Sequence, residues 1–99
     1  MAKLSNKRKE LMKKFNTIGN KVYPYTDDYF KLSKPVALCA DVFDNKRIAV
    51  IDAVDVDSFV VWVRNRHKRS VYVPISILNI SVLGQVVRQM EKDAINIMK

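Results

Sequence analysis

The chain has very little cysteine, histidine, glycine and proline, and these shortages exclude several classes of protein. Among 99 residues there are one cysteine, one histidine, two glycines and three prolines. Cys39 alone can form neither a disulfide framework nor a cysteine metal site, and this usage fits a reducing compartment. With glycine only at positions 19 and 84, the chain has no glycine-rich phosphate-binding loop.

Groups with the spacing of a catalytic or metal site are also missing. His67, the only histidine, is surrounded by cationic residues in the sequence and has no acidic partner nearby, which makes it a poor general base. Five aspartates between positions 41 and 57 follow no metal-ligand spacing, and we assign them to balancing nearby basic side chains. We therefore predict no enzyme activity, no metal and no cofactor.

Long apolar runs are absent as well. No run approaches the ~20 residues that cross a bilayer, and the stretch Met1 to Lys9 lacks the apolar segment of a secretion signal. We expect a cytoplasmic protein that does not bind membranes. Because 48% of the residues are hydrophobic, we expect one folded domain over residues 1–99.

Negative charge is scarce relative to positive charge. The chain has 18 Lys and Arg against 10 Asp and Glu, for a formal net charge of +8. The excess lies in residues 1–35 and 64–99, whereas residues 36–63 are acidic on balance. Such a field attracts polyanions, so nucleic acid is the first candidate partner.

Both ends of the chain have the hydrophobic period of amphipathic helices. A basic helix is predicted over residues 4–19, with Leu11 and Phe15 on its apolar side, and residues 20–35 read as a linker. A second amphipathic helix is predicted over residues 81–98. Its polar side holds Arg88, Gln89, Lys92 and Asp93.

Residues 36–80 change to a period of two and become rich in β-branched residues. Strands are predicted at 36–43, 47–54, 58–64 and 70–73, with a fifth at 75–80 directly after Pro74. Short breaks predict an antiparallel meander. The strand at 58–64 is apolar on both faces, so both faces of the sheet must be covered. We therefore predict a fold that is mainly β with terminal α-helices. In this fold a small five-stranded antiparallel barrel covers one face of the sheet with its own interior.

The strongest local signal is a charged turn. Five of the six residues in 64–69 are basic, and a rigid hairpin would present them to phosphates. The run "DSFVVWVRN", followed five residues later by "VY", resembles the Sm-like RNA-binding family, of the Hfq-like kind, and the resemblance spans residues 34–81. Val73-Pro74 stands where that family has a Lys-His pair, and Ile51 stands where it has a glycine.

The resemblance implies a bent five-stranded Sm-like barrel that assembles into a ring through strands four and five and binds single-stranded RNA. It also implies that Phe59 stacks on a base, that Ser58 is its polar neighbour, and that Tyr72 is the tyrosine at the end of strand four. We add the basic turn and a strip on the first helix as phosphate contacts. The predicted nucleic-acid-binding residues are Ser58, Phe59, Arg64, Arg66, His67, Lys68, Arg69, Tyr72, Lys7, Lys9, Lys13 and Lys14.

Two alternatives remain open at this point. A five-stranded barrel of the Src-homology or Tudor kind would make the chain a protein-interaction module, for example a phage or plasmid factor that binds and modulates a host protein. DNA binding requires only the same positive charge.

Overall fold

The computed structural model describes residues 6–22, 29–40, 47–65 and 70–98. The chain order is helix α1 (Asn6–Val22), strands β1 (Phe30–Ala40), β2 (Arg47–Asp55), β3 (Val60–Asn65) and β4 (Ser70–Pro74), a 3₁₀ turn (Ile75–Ile77), and helix α2 (Ile80–Met98). Consecutive strands pair antiparallel in one sheet of order β1-β2-β3-β4. No described helix is both long and apolar enough to cross a membrane.

The prediction of a closed five-stranded barrel is wrong, because the described part of the chain forms one open sheet of four strands. Residues 75–80 form the 3₁₀ turn and the start of α2 instead of a fifth strand. Ile75 and Leu78 are buried, whereas Ile77 is 70% exposed. Burial at a spacing of three residues suits a 3₁₀ turn and does not suit the alternation of a strand. A ring joined through strands four and five therefore lacks one of its strands in this fold.

The other boundaries differ less. The terminal helices, predicted at 4–19 and 81–98, are observed at Asn6–Val22 and Ile80–Met98, and the antiparallel meander is observed. The linker prediction for 20–35 is wrong in its second half, because β1 begins at Phe30. Phe30 and Leu32 are buried in the core, which explains why this segment joins the sheet.

Both helices cover the same face of the sheet. Helix α2 packs against α1 and against β1. The main core is a cluster of buried apolar side chains between the helices and the sheet. It contains Phe15 from α1, the α2 residues Leu83, Val86, Val87 and Met90, and the strand residues Phe30, Leu32, Val36, Ile51, Val54, Val61 and Val63.

Three contacts hold α1 against the sheet. The Arg8 guanidinium donates to the carbonyl oxygens of Ser76 at 3.0 Å and Leu78 at 2.6 Å, so it fixes the helix to the 3₁₀ turn. The Phe15 ring stacks on Phe59 with centroids 6.3 Å apart. Gly19 is buried directly against Val56 in the turn between β2 and β3. Helix α1 therefore crosses from the 3₁₀ turn to the β2–β3 turn.

A buried carboxylate joins α2 to β1. Asp93, 4% exposed, accepts hydrogen bonds from the Ser33 backbone nitrogen at 2.9 Å and from the Ser33 hydroxyl at 2.5 Å. The Gln89 side-chain amide donates to Asp93 at 3.0 Å and to the Ser33 hydroxyl at 3.1 Å. Ser33 lies where β1 shifts register against β2, between Lys31 and Val36. Asp93 therefore satisfies a backbone group in the irregular part of β1.

The two outer strands of the sheet each contain a proline. Pro35 lies in β1, and Pro74 is the last residue of β4. Proline has no backbone N–H and is confined in sheets to edges, ends and bulges. Both prolines occupy such positions.

Candidate nucleic-acid interface

The sheet face that points away from the helices carries a continuous row of side chains. In the strand pairing, Lys31 of β1 is opposite Ala53 of β2, Ala53 is opposite Trp62 of β3, and Trp62 is opposite Tyr72 of β4. Since strands lie about 4.8 Å apart, this row is roughly 14 Å long. We call this surface, with the neighbouring Tyr29, Asp52, Arg64 and Ser70, the open face.

Three aromatic rings form the centre of the open face. Trp62 contacts Tyr29 with ring centroids 6.0 Å apart and Tyr72 with centroids 5.8 Å apart, the second pair edge to face. Tyr72 is 66% exposed and Tyr29 is 46% exposed, whereas the central tryptophan is half-buried between them. Such spacings are those of favourable aromatic pairs. The rings shield one another and still present aromatic surface to solvent.

The indole nitrogen of Trp62 is a further feature of the open face. Its N–H is buried and has no hydrogen-bond acceptor among the described residues. A buried donor without a partner costs about 1–3 kcal/mol, and such groups are rare in folded proteins. Trp62 therefore adds an unused donor to a surface that is otherwise aromatic.

A bulge in β2 places a carboxylate beside the rings. Ile51 pairs with Val63 and Ala53 pairs with Trp62, so Asp52 is the extra residue between two successive pairs. A bulge redirects a side chain and is over-represented near functional sites. As a result Asp52 and Ala53, adjacent in sequence, line one cavity of about 190 Å³. The other residues that line it are Tyr29, Lys31, Trp62 and Ser70.

Two cations flank this cavity. Lys31 lines the cavity and is exposed. Arg64 does not line it but pairs with Asp52, which does. The Arg64 Nε atom lies 3.4 Å from the Asp52 carboxylate, and the Arg64 side chain remains 47% exposed. An exposed pair of this kind contributes little to stability. The Arg64 guanidinium therefore retains surface that can meet a phosphate.

The structure separates residues that the sequence analysis had grouped. Tyr72 and Arg64 lie on the open face, but the Phe59 ring stacks on Phe15 of α1, on the helix side of the sheet. Phe59 has a positive φ of 54° and closes the β2–β3 turn, where its N–H donates to the Val56 carbonyl. Ser58 is exposed in the same turn, and its backbone N–H donates to Asp55. Phe59 and Tyr72 do not form one stacking surface.

The predicted lysine strip lies in the helical layer. Lys7, Lys9, Lys13 and Lys14 are all exposed on α1, and Lys14 pairs with Glu91 of α2 at 3.8 Å. The remaining predicted phosphate contacts, Arg66, His67, Lys68 and Arg69, lie outside the described residues. They connect the end of β3 to the start of β4 in the chain.

A second concave surface lies between the two helices. This interhelical groove has a volume of about 580 Å³, and its apolar wall includes Leu11, Gly84 and Val87. Its charged residues are the cations Lys7, Lys14 and Arg88 and one carboxylate, Glu91, which pairs with Lys14. Gly84 has open space where a side chain would be, with only Leu11 at 4.0 Å. Within the described ranges, no three His, Cys, Asp or Glu residues are grouped closely enough to hold a metal ion.

The sequence of β3 contains a signal for the open face that the predicted binding residues do not reflect. In β3 the core residues are Val61 and Val63, so Trp62 and Arg64 share the opposite face. An aromatic and a cation at a spacing of two in one strand indicate an exposed face. Trp62 and Lys31 were not predicted, nor were Tyr29, which was assigned to the linker, and Asp52, whose position depends on a bulge.

Comparison with family models, curated proteins and solved structures finds no match.

Proposed function

We propose that this chain binds single-stranded RNA without catalysis, through bases stacked on the open face. The observation that carries the proposal is the exposed row of Tyr29, Trp62 and Tyr72 on a sheet face that the helices leave uncovered. Exposed aromatic rings on a sheet are a recurrent platform for single-stranded RNA, whose unpaired bases stack on them. The cytoplasm is the compartment in which we expect this binding.

The charges around the rings support the same proposal. Lys31 and Arg64 lie on the open face, and the net charge of +8 attracts a polyanion over a longer range. The basic segment from Arg66 to Arg69 follows Arg64 after one residue, Asn65. We assign affinity to these cations and base preference to the rings. The lysines of α1, in the helical layer, add to attraction at a distance.

We expect Tyr72→Ala to weaken binding of a nine-nucleotide uridine RNA by about 5- to 150-fold. Loss of one base–aromatic stack costs about 1–3 kcal/mol, which corresponds to that range. Val71→Ala is the matched control, because Val71 is the preceding residue of β4, is 56% exposed, and points to the opposite face. Fluorescence anisotropy titration gives both affinities, and thermal unfolding checks that each variant folds.

The same titration tests base stacking, the electrostatic contribution and the preference for RNA over DNA. Equal affinities for Tyr72→Ala and Val71→Ala would contradict stacking on the open face. A salt series should show log affinity falling with log salt at about 0.7 per neutralised phosphate, and replacing Arg66, Lys68 and Arg69 with glutamate should flatten that slope. Equal binding of the matching deoxyribose strand would make the chain a general single-strand binder.

The interhelical groove favours a second candidate function, the binding of a protein. Its apolar wall and its excess of positive charge, three cations against Glu91, complement an acidic amphipathic helix, which lays its apolar side into such a groove. We expect Gly84→Leu with Arg88→Glu to abolish capture of an acidic partner from nuclease-treated lysate, while Tyr72→Ala retains it. The opposite pattern would place the partner on the open face.

Native mass measurement tests whether the chain forms a homo-oligomer.

A further inference from the structure

We propose that the cavity beside Trp62 is a base-selective subsite that prefers guanine. This inference rests on the proposed function, because it specifies which base the open face selects. It depends on one carboxylate, that of Asp52, which the β2 bulge brings to the same cavity as the aromatic rings. A surface that only stacks bases does not require a carboxylate there.

The cavity has the size and composition of a subsite for a single base. Its volume of about 190 Å³ is below the 300–1,000 Å³ of pockets for drug-sized ligands. Tyr29 and Trp62 supply aromatic surface, and the small side chain of Ala53 lies between Lys31 and Trp62 in the cross-strand row. A flat ring that stacks on these aromatics directs its edge toward the remaining lining groups, which are polar.

Those polar groups have unequal hydrogen-bonding capacity. Asp52 supplies acceptors, whereas Lys31 and Ser70 supply donors. Arg64 is the one polar partner of the Asp52 carboxylate among the described residues, through a single Nε contact at 3.4 Å to Oδ2. The Oδ1 atom and the second lone pair of Oδ2 are left to accept from a ligand. The subsite therefore offers a strong acceptor next to a cationic donor and a hydroxyl.

Only guanine matches this arrangement with its Watson–Crick edge. Its N1–H and N2–H₂ groups are adjacent donors that a carboxylate can accept together, and its O6 is an acceptor for an ammonium or hydroxyl donor. Uracil has one N3–H between two carbonyl oxygens, which repel a carboxylate. Adenine and cytosine each have one amino group next to a ring nitrogen with a lone pair, which also faces the carboxylate unfavourably.

The subsite is tested with nine-nucleotide RNAs that differ only at the central position of a uridine tract. For the full chain, we expect the RNA with a central guanosine to bind about tenfold more tightly than the all-uridine RNA. Inosine lacks the N2 amino group but keeps N1–H and O6, so it should lose most of that gain. Central adenosine controls for purine stacking alone and should not reproduce the gain.

Asp52→Asn provides the test on the protein side. We expect it to bring the guanosine-to-uridine affinity ratio close to one, because an amide can no longer accept two adjacent donors in this geometry. Asp57→Asn is the matched control, since Asp57 is exposed in the β2–β3 turn, away from the open face, and it should keep the wild-type ratio. The inosine comparison needs no variant, so it remains decisive even where Asp52→Asn folds poorly.

The outcomes distinguish failure of the guanine subsite from failure of the proposed RNA binding. A wild-type ratio near one, equal binding of inosine and guanosine, or a ratio that survives Asp52→Asn would overturn the guanine subsite. If Tyr72→Ala still weakened binding in that case, RNA binding on the open face would stand. Absence of binding to every RNA would overturn both.

Discussion

Gly19→Ala should lower the stability of the protein by about 2 kcal/mol, although alanine is the better helix former. A Cβ atom at position 19 would lie 1.8 Å from Val56 Cγ2, 2.7 Å from its Cβ and 2.8 Å from its Cγ1. Val56 is 1% exposed and β-branched, so it cannot rotate out of the way. Overpacking of a close-packed site costs about 1–3 kcal/mol and occasionally more, which outweighs the gain of about 1 kcal/mol in helix propensity.

Gly84→Ala is the matched control, because it makes the same change in the other helix where space is open. The nearest atom to its added Cβ is Leu11 Cδ1 at 4.0 Å. We expect this variant to gain up to about 1 kcal/mol. In a domain of this size each kcal/mol shifts Tm by roughly 4–8 °C, so the two variants should move in opposite directions by differential scanning calorimetry. Similar Tm changes for both would contradict the close packing of α1 on the β2–β3 turn.

The packing at Gly19 also predicts coupling with Val56. In a Val56→Ala background the added methyl group meets fewer atoms, so Gly19→Ala should cost much less there than in the wild-type chain. A double-mutant cycle measures this difference directly. Additive effects would show that the loss arises from some other cause.

Asp93→Ala should destabilise the protein by about 3 kcal/mol. The change removes two hydrogen bonds from Ser33 and one from Gln89 to a carboxylate that is 4% exposed. Hydrogen bonds to charged groups contribute about 1.5–3 kcal/mol each, and the Ser33 N–H would lose its acceptor in a segment where β1 makes no regular pairs with β2. Chemical denaturation measures the loss, and hydrogen exchange should show faster exchange at the Ser33 amide.

Two controls identify the cause of that loss. Asp57→Ala removes an exposed carboxylate and should change stability by less than about 0.5 kcal/mol. Asp93→Asn keeps one acceptor and the side-chain volume, so it should cost less than alanine. A loss for Asp57→Ala as large as that for Asp93→Ala would show that charge, and not the contact with Ser33, matters.

Periodicity predicted the parts of the fold that local patterns determine. The stripe containing Leu11 and Phe15 located α1, and Leu83, Val86 and Met90 located α2 within one residue of its observed start. Short breaks also predicted the antiparallel meander. Asp93 shows the limit of this reasoning. It lies on the side of α2 predicted to be polar, but it is buried against the irregular part of β1.

The barrel prediction failed because the two apolar faces of β3 are covered in a way that does not require a barrel. Val60 and Trp62 alternate with Val61 and Val63, and we inferred that something must cover each apolar face. The helices cover Val61 and Val63, but on the second face the described residues that pack on Trp62 are Tyr29 and Tyr72. One of these tyrosines precedes β1 and the other belongs to β4. Sequence periodicity does not show such contacts between distant strands.

The candidate site was predictable only in part. Tyr72 and Arg64 were predicted and lie on the open face, whereas Phe59 contacts α1. Asp52 was assigned to charge balance, and it does pair with Arg64. Its place in the cavity depends on the bulge, which shifts every later residue of β2 relative to β3. A bulge has no sequence signature as strong as alternation, so this residue could not be located from the pattern.

The prolines of the two outer strands have a consequence for solubility at high concentration. An unprotected sheet edge is a template on which other chains add as strands, and such growth leads to amyloid-like fibrils. Pro35 and Pro74 each remove a donor from one edge, and Lys31 and Lys34 add charge beside Pro35. A chain with both prolines replaced by alanine should aggregate faster than the natural one.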